Sequence, residues 1–268
     1  MPFIEPKDQS LKVLEGLHLW HAPMSSCSQR VRIVLAETGQ EFESHIVALE
    51  KDEHASAAYQ AIHPKGLVPA LVDGGRLMIE SVDIIAHLGG DAFAADGADA
   101  LLDMADRAQM DLKLLTFEYL FRADPPPPAE AAERFQAAHE NAWLRQFRVD
   151  FANGFAPERL NDAIARTDAG FRHLDALLSD GRAYLCGDAF SIADIAWMPN
   201  VHRFRLMEWP FERTAHLSAW FDRVAQRDSY QKGLVEWQPD PVAGKFATYT
   251  KTRQDAGTDV ASAAHFQT

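Results

Sequence analysis

Residues 67–81 read LVPALVDGGRLMIES. Two apolar runs flank Asp73-Gly74-Gly75, and a tight Asp-Gly turn between such runs is typical of a β-hairpin. The sequence therefore predicts two antiparallel strands that meet at this turn. Pro69 interrupts the first strand, and proline is tolerated there only at an edge, at a bulge or after a cis bond. The pattern alone leaves a trans edge proline and a cis proline both open.

Upstream of the hairpin, strand and helix patterns alternate. Residues 17–20 and 42–46 alternate apolar with polar positions, whereas the stretch between them has helical spacing, and a further helical pattern starts at Ser81. The helical stripe between the two strands comprises Val31, Val34 and Leu35. Strands joined across a helix pair in parallel and hairpin strands do not, so the sheet must be mixed. We predict an α/β domain with a mixed four-stranded sheet over residues 17–89.

The rest of the chain has the apolar period of helices. A linker rich in Gly, Ala and Asp precedes it, and Pro125–Pro128 breaks the pattern after the helix predicted at 101–122. A long helix is predicted at 129–155. These features indicate an all-helical domain at 101–237, followed by a polar tail at 238–268 that packs loosely or on another element.

Composition excludes several classes of protein. The 268 residues are 47% hydrophobic and 24% charged, which is typical of globular proteins, and the net charge is −13. A surface this acidic repels nucleic acid and anionic lipid, so neither is an expected partner. Cys27 and Cys186 are too few for a disulfide framework, and the 11 histidines lack metal-ligand spacing, so no metal is expected. No signal peptide or membrane-spanning run is found, which favours the cytoplasm.

Ser25, Ser26 and Cys27 stand where the first strand ends and the first helix begins. Backbone N–H groups and the helix dipole favour an anion such as a thiolate at this position. A serine hydroxyl that donates to the thiolate would lower its pKa. The alternatives are that Ser25 only caps the helix, or that Cys27 is itself a reactive thiol of low pKa.

Glu80 and Ser81 mark a second helix start. The N–H groups of that helix could hold a carboxylate, while Glu80 could pair with an ammonium group. The ligand so described carries both groups, as an α-amino acid does. An ordinary helix cap beside an exposed glutamate is the alternative.

Three segments together resemble the cytosolic glutathione transferases. Residues 25–35 (SSCSQRVRIVL) are similar to the zeta-class signature, and residues 63–71 (HPKGLVPAL) and 80–85 (ESVDII) are similar to glutathione-binding segments. Residues 190–195 (FSIADI) resemble that family's capping box, in which Ser191 caps a helix and the third helical residue reaches back. The resemblance implies a thioredoxin-like domain followed by a helical bundle, and a cytoplasmic homodimer that uses glutathione.

The resemblance also implies roles for residues. Ser25 would activate the glutathione thiol, with Ser26 as second choice and Cys27 as the residue of a thiol oxidoreductase. The implied glutathione-binding residues are His54, Leu67, Val68, Pro69 (in cis), Glu80 and Ser81. The theta class often has lysine where Leu67 stands, and the long second half is more similar to bacterial ether-cleaving or dehalogenating members.

The expected activity is attack of the glutathione thiolate on a hydrophobic, aromatic small-molecule electrophile, a β-aryl ether or a halogenated compound. Met24, Tyr119 and Trp143 are the candidates for its pocket. The alternatives are a glutathione-dependent isomerase, a thiol oxidoreductase based on Cys27, and a glutathione-binding module without catalysis.

Overall fold

The computed structural model describes residues 3–267 and opens with a four-stranded sheet. Its strands lie in the order β2-β1-β3-β4, with β1 parallel to β2 and antiparallel to β3, and β3 antiparallel to β4. The strands are β1 (Leu17–His21), β2 (Glu43–Ile46), β3 (Ala70–Asp73) and β4 (Arg76–Met78). The predicted mixed sheet is confirmed, and the hairpin turns at Gly74 and Gly75, where φ is positive.

Eleven α-helices are found within the described residues. They are α1 (Ser26–Thr38), α2 (Ala57–Ile62), α3 (Ser81–Gly89), α4 (Ala98–Tyr119), α5 (Ala129–Ala138), α6 (Ala142–Asn153), α7 (Pro157–Leu178), α8 (Ile192–Leu206), α9 (Ala215–Val224), α10 (Asp228–Gly233) and α11 (Asp240–Asp255). Short 3₁₀ helices occur at Gln9–Val13, Leu49–Lys51, Glu53–Ala55, Gly90–Phe93, Phe121–Ala123, Phe211–Arg213, Val235–Trp237, Val260–Ser262 and Ala264–Phe266. The expected order of an α/β part and then an all-helical part is confirmed.

Both faces of the sheet are covered. Leu19 and Leu71 belong to the main core beneath α1 and α3, whereas Val72 and Leu77 pack with Leu11 of the N-terminal segment on the other face. A strand buried on both faces reads as a continuous apolar run, which explains why β3 shows no alternation in the sequence.

Helix α1 lies against α3, α8 and α10 and carries two arginines into the interior. The Arg30 guanidinium donates to the carbonyls of Ala105 at 2.8 Å and Ala196 at 2.9 Å, which belong to α4 and α8. Burial lowers the pKa of Arg30. These hydrogen bonds fix the start of α1 against the helical part of the chain, and this helix start is where the candidate site lies.

The predicted helix over 129–155 is wrong as a single element, because α5 ends at Ala138 and α6 begins at Ala142. The Gln60 side chain donates to the Ala138 carbonyl at 3.0 Å and accepts from the Glu140 N–H at 2.8 Å. Asn141 then caps α6 by accepting from the N–H groups of its first turn. Contacts with α2 thus replace helical hydrogen bonds at the break.

The polar C-terminal segment forms helix α11 and is not a loosely packed tail. Phe246 of α11 is buried, and Arg253 donates to the Glu118 carboxylate of α4 at 2.9 Å. The ring of Phe266, further on, meets Trp209 edge-on at 5.2 Å. The segment therefore packs on the helical part of the chain, which is the second of the two arrangements that the sequence left open.

Candidate active site

Helix α1 begins where β1 ends, and Ser25 is its N-cap. The Ser25 Oγ accepts a hydrogen bond from the Ser28 N–H at 3.2 Å, and the Ser25 carbonyl accepts from Gln29 at 2.9 Å. The side chain is half-buried. The other N–H groups of the first turn have no helical acceptor and, together with the helix dipole, create a positive potential here. The hydroxyl therefore caps the helix and remains at the edge of an anion-attracting position.

Gln109 of α4 distinguishes the three candidate donors. Its Oε1 accepts from the Ser26 hydroxyl at 2.6 Å and from the Cys27 thiol at 3.5 Å, and its Nε2 donates to Asn200 Oδ1 at 2.6 Å. The protons of Ser26 and Cys27 thus point to one amide oxygen. The hydroxyl proton of Ser25 has no acceptor in the part of the chain that the structure describes. Of the three, Ser25 is the residue with a proton left for a bound anion.

The peptide bond between Val68 and Pro69 is cis, the form that the resemblance implies. The Leu67 carbonyl accepts from the Tyr59 hydroxyl at 2.6 Å. The backbone N–H and carbonyl of Val68, by contrast, pair with no group between residues 3 and 267. Both groups are therefore available to a peptide-like ligand.

Glu80, not Ser81, is the N-cap of α3. The Ser81 side chain is buried and accepts from Arg30 at 3.3 Å, and its backbone N–H belongs to the first turn of the helix. The Glu80 carboxylate forms an ion pair with Lys65. An ammonium group of a ligand would therefore compete with Lys65 for Glu80, whereas a carboxylate would meet the free N–H groups of α3.

His54 lies under α5 and the loop that follows it. Its ring is 5.6 Å from the Phe135 ring and 5.5 Å from the His139 ring, and its Nδ1 is buried without a hydrogen-bond partner among the described residues. Burial, together with His139, Arg148 and Lys113, lowers the pKa of His54 to about 3. The imidazole is therefore neutral near pH 7, and its Nδ1 is closed to solvent.

The three pocket candidates occupy different surroundings. Met24 directly precedes Ser25, and its carbonyl accepts from Arg203. Trp143 is 38% exposed and stacks on Phe147, with ring centres 5.1 Å apart. Tyr119 is buried under the Arg253 guanidinium, 4.6 Å from the ring centre, and burial raises the pKa of Tyr119 to about 12. Met24 lies next to the α1 start, whereas Tyr119 packs against α11.

Lys113 was not singled out by the sequence analysis. Its Nζ lies 5.2 Å from the ring centres of Trp143 and Phe147 and 5.9 Å from that of Phe117. Burial is the main cause that lowers the pKa of Lys113 to about 8. The only signal in the sequence was a lysine between apolar residues of a helix, which is equally typical of a solvent-exposed position.

Gln109 and Asn200 were also missed. They lie on α4 and α8, 91 residues apart, and meet Ser26 only through folding. Asn200 Oδ1 further accepts from Arg30 at 3.4 Å. The available signal was a polar residue within a helix that was predicted to be buried. Sequence spacing, however, cannot identify its hydrogen-bond partner on another helix.

Comparisons with known proteins agree with this arrangement of domains. The N-terminal domain model of glutathione S-transferases matches residues 19–94, and the C-terminal domain model matches residues 141–223. The first match contains the α1 start, the cis-proline and the α3 start.

Individual relatives match most of the chain. Glutathione S-transferase Z2 of Arabidopsis thaliana is 29% identical over 232 residues, covering 84% of this chain and 93% of that protein. The tetrachloro-p-hydroquinone reductive dehalogenase of Sphingobium chlorophenolicum is 27% identical over 246 residues, covering 81% and 95%. The crystal structure of the beta-etherase LigF from Sphingobium sp. strain SYK-6 superposes with a TM-score of 0.70 at 22% identity, covering 81% and 98%. This last likeness is one of fold.

The described residues contain neither a membrane-spanning helix nor a cluster of metal-ligating side chains. Between residues 3 and 267, no helix combines the length and the apolar character needed to cross a membrane. The same residues contain no group of three or more His, Cys, Asp or Glu side chains arranged to hold a metal ion.

Proposed function

The chain belongs to the glutathione transferase family, and from this premise we propose that Ser25 activates the glutathione thiol for attack on a hydrophobic, aromatic electrophile. It is an enzyme of the glutathione transferase type, with glutathione as its cosubstrate. The role of the serine, the binding residues and the class of electrophile are the proposal.

The free hydroxyl proton of Ser25 is the observation that carries the proposal. Ser26 and Cys27 both direct their protons to Gln109, so Ser25 is left to donate to a sulfur at the start of α1. A hydrogen bond to the charged form of an acid lowers its pKa, and the helix dipole acts in the same direction. Glutathione would therefore be held as the thiolate, and Ser25 would not be a covalent nucleophile.

The remaining contacts suit a γ-glutamyl tripeptide. Val68 would pair through its free backbone groups with the cysteinyl residue, as an added strand does. Glu80 would take the γ-glutamyl ammonium group, and the N–H of Ser81 at the α3 start would take the neighbouring carboxylate. His54 would donate a ring N–H to the glycyl carboxylate.

The reaction that this site supports is nucleophilic substitution. The thiolate electron pair forms a carbon–sulfur bond, and the bond to the leaving group breaks, so that its electron pair departs on chloride or on an aryl oxide. A water-poor site strengthens the donors that stabilise the developing charge. The contacting rings of Phe117, Trp143 and Phe147 on α4 and α6 support an aromatic substrate, and a dehalogenase is among the relatives. A β-aryl ether or a halogenated aromatic compound is the proposed class.

The test compares Ser25→Ala, Ser26→Ala and Cys27→Ala. Hydrogen bonds to charged groups contribute about 1.5–3 kcal/mol, so Ser25→Ala should lower kcat/KM with chlorinated aromatic substrates about tenfold to a hundredfold. The pKa of bound glutathione, from ultraviolet absorbance of the thiolate during titration, should rise by about 1–2 units. The other two variants should keep at least half of the wild-type activity.

A second variant separates chemistry from folding. Glycine caps a helix almost as well as serine does, so Ser25→Gly should keep the fold and lose the same activity as Ser25→Ala. Ser25→Thr should restore part of it. If Cys27→Ala abolishes activity while Ser25→Ala spares it, the enzyme is a Cys27-based thiol oxidoreductase and the proposal is wrong.

Cytoplasmic location and a homodimer complete the proposal. Cys27 and Cys186 are both free thiols, which fits a reducing compartment. Sedimentation equilibrium should give twice the mass of one chain, and a single-chain mass would contradict the homodimer.

A further inference from the structure

Lys113 shares one face of α4 with two residues already described. Gln109, Lys113 and Phe117 are spaced four residues apart, and residues at this spacing lie in a row along a helix. Gln109 contacts Ser26 and Cys27 at the α1 start. One helical turn is about 5.4 Å, so the Lys113 backbone is one turn from the residue that contacts Ser26 and Cys27, which follow Ser25 in the chain.

The ammonium group of Lys113 has no hydrogen-bond acceptor and no carboxylate partner within residues 3–267. Three aromatic rings surround it instead, with the Trp143 and Phe147 ring centres at 5.2 Å. An ammonium group carries three donors, and burial without an acceptor costs free energy. In a chain with 39 acidic residues, a half-buried lysine left without an acid indicates a position kept open for an anion.

The groups that face Lys113 do not neutralise it. They are Cys27 on α1 and Arg148 on α6, together with the histidines His54 and His139. The Arg148 guanidinium already forms an ion pair with Asp52. The cluster is therefore positive, in contrast to the net charge of the whole chain.

We propose that Lys113 binds an acidic oxygen on the aromatic electrophile, so that the enzyme prefers substrates whose ring carries a carboxylate or a phenolate. The inference rests on the proposed function, because it names the substrate class of the same site. The exposed Trp143 ring would hold the body of the substrate, and the ammonium group would orient it with its reactive carbon toward α1. Since the pKa of Lys113 is about 8, the group is mostly charged at pH 7.

Binding of a matched pair of inert probes tests the proposal without turnover. 4-Nitrobenzoate and 4-nitrobenzamide have nearly the same shape and differ in charge. Calorimetric titration of the wild type at pH 7 should show the carboxylate binding about tenfold more tightly than the amide, as expected for a charge-assisted hydrogen bond. The preference should vanish in Lys113→Met and persist in Lys113→Arg.

The control variant is Lys251→Met. Lys251 is an exposed lysine of α11 that pairs with Asp255, so its loss should leave the preference intact. Equal affinity of the wild type for the two probes, or a preference that survives in Lys113→Met with a native circular dichroism spectrum, would overturn the inference.

Saturation with S-methylglutathione distinguishes the electrophile from glutathione itself. If Lys113 binds the electrophile, 4-nitrobenzoate should still bind when S-methylglutathione occupies the glutathione site. Loss of probe binding would show that the glycyl carboxylate occupies Lys113, and the inference would be wrong.

Turnover separates this inference from the proposed function. With glutathione present, 4-chloro-3-nitrobenzoate should have a KM about tenfold lower than its amide in the wild type, and equal KM values in Lys113→Met. If neither compound reacts but the probes bind as expected, the proposed reaction fails while the anion site stands.

Discussion

Helices α1 and α8 both have a serine as N-cap, and the two helix starts serve different ends. At α1 the Ser25 hydroxyl accepts from one backbone N–H, is half-buried, and keeps its own proton free. At α8 the Ser191 side chain is 1% exposed, and its hydroxyl donates to the Asp194 carboxylate at 2.8 Å. The serine hydroxyl at the α1 start is therefore open to a ligand, whereas the serine hydroxyl at the α8 start is satisfied by its own helix.

The difference comes from the third helical residue. In α8 this residue is Asp194, whose carboxylate also accepts from the Leu185 N–H at 2.9 Å and the Trp220 indole at 2.7 Å. In α1 it is Ser28, whose N–H bonds to Ser25 but whose side chain does not reach back to it. A helix start becomes a binding position when its polar groups are left partly unsatisfied.

The largest expected effect is on stability at α8. Asp194→Ala removes four hydrogen bonds to buried groups and should lower the free energy of unfolding by about 4 kcal/mol. Urea unfolding measures this, with Asp188→Ala, at an exposed neighbouring carboxylate, as the control expected to lose under about 0.5 kcal/mol. Similar losses for both variants would show that the Asp194 network is not what closes this helix start.

Acid should destabilise the protein through two buried histidines, one at the end of β1, shortly before the α1 start, and one near the C-terminal end of α8. His21 on β1 and His202 on α8 are neutral because burial, with Arg32 and Arg203 respectively, lowers the pKa of each to about 3. Their stability contribution is complete above the unfolded-state pKa near 6.5 and is lost as the pH falls toward 3.

Each histidine should therefore cost the wild type up to about 1.4 kcal/mol per pH unit in this range. Between pH 7 and pH 5, His21→Gln and His202→Gln should each reduce the loss of unfolding free energy by about 2 kcal/mol. The exposed His216→Gln should leave the slope of the wild type unchanged. If the unfolding free energy of His202→Gln falls with pH as steeply as that of the wild type, this histidine takes up its proton within the folded state.

The smallest expected change in stability distinguishes a serine that only caps its helix from one that also acts in catalysis. Ser25→Ala and Ser191→Ala each remove an N-cap, so both should lower the free energy of unfolding by about 1 kcal/mol. Only Ser25→Ala should also change kcat/KM, because Ser191 makes no contact with the α1 start. A parallel loss of activity in Ser191→Ala, at a temperature well below its unfolding transition, would contradict the division of roles.

The elements that were predicted well depend on neighbours close in sequence. The hairpin at Asp73-Gly74-Gly75 and the Ser191–Asp194 capping box both follow from spacings of four residues or fewer. The break between α5 and α6 was missed because its cause is Gln60 on α2, 78 residues from the Ala138 carbonyl that it contacts.

The mixed sheet, the helical second half and the serine at the start of α1 could be predicted from the amino-acid sequence, since local hydrogen bonding and apolar period specify them. Folding alone decided which of Ser25, Ser26 and Cys27 keeps its proton, because Gln109 comes from a helix 82 to 83 residues away in the chain. It also placed Lys113 one turn from that contact. The choice of a long-range partner is made by packing, which short spacings in a sequence do not encode.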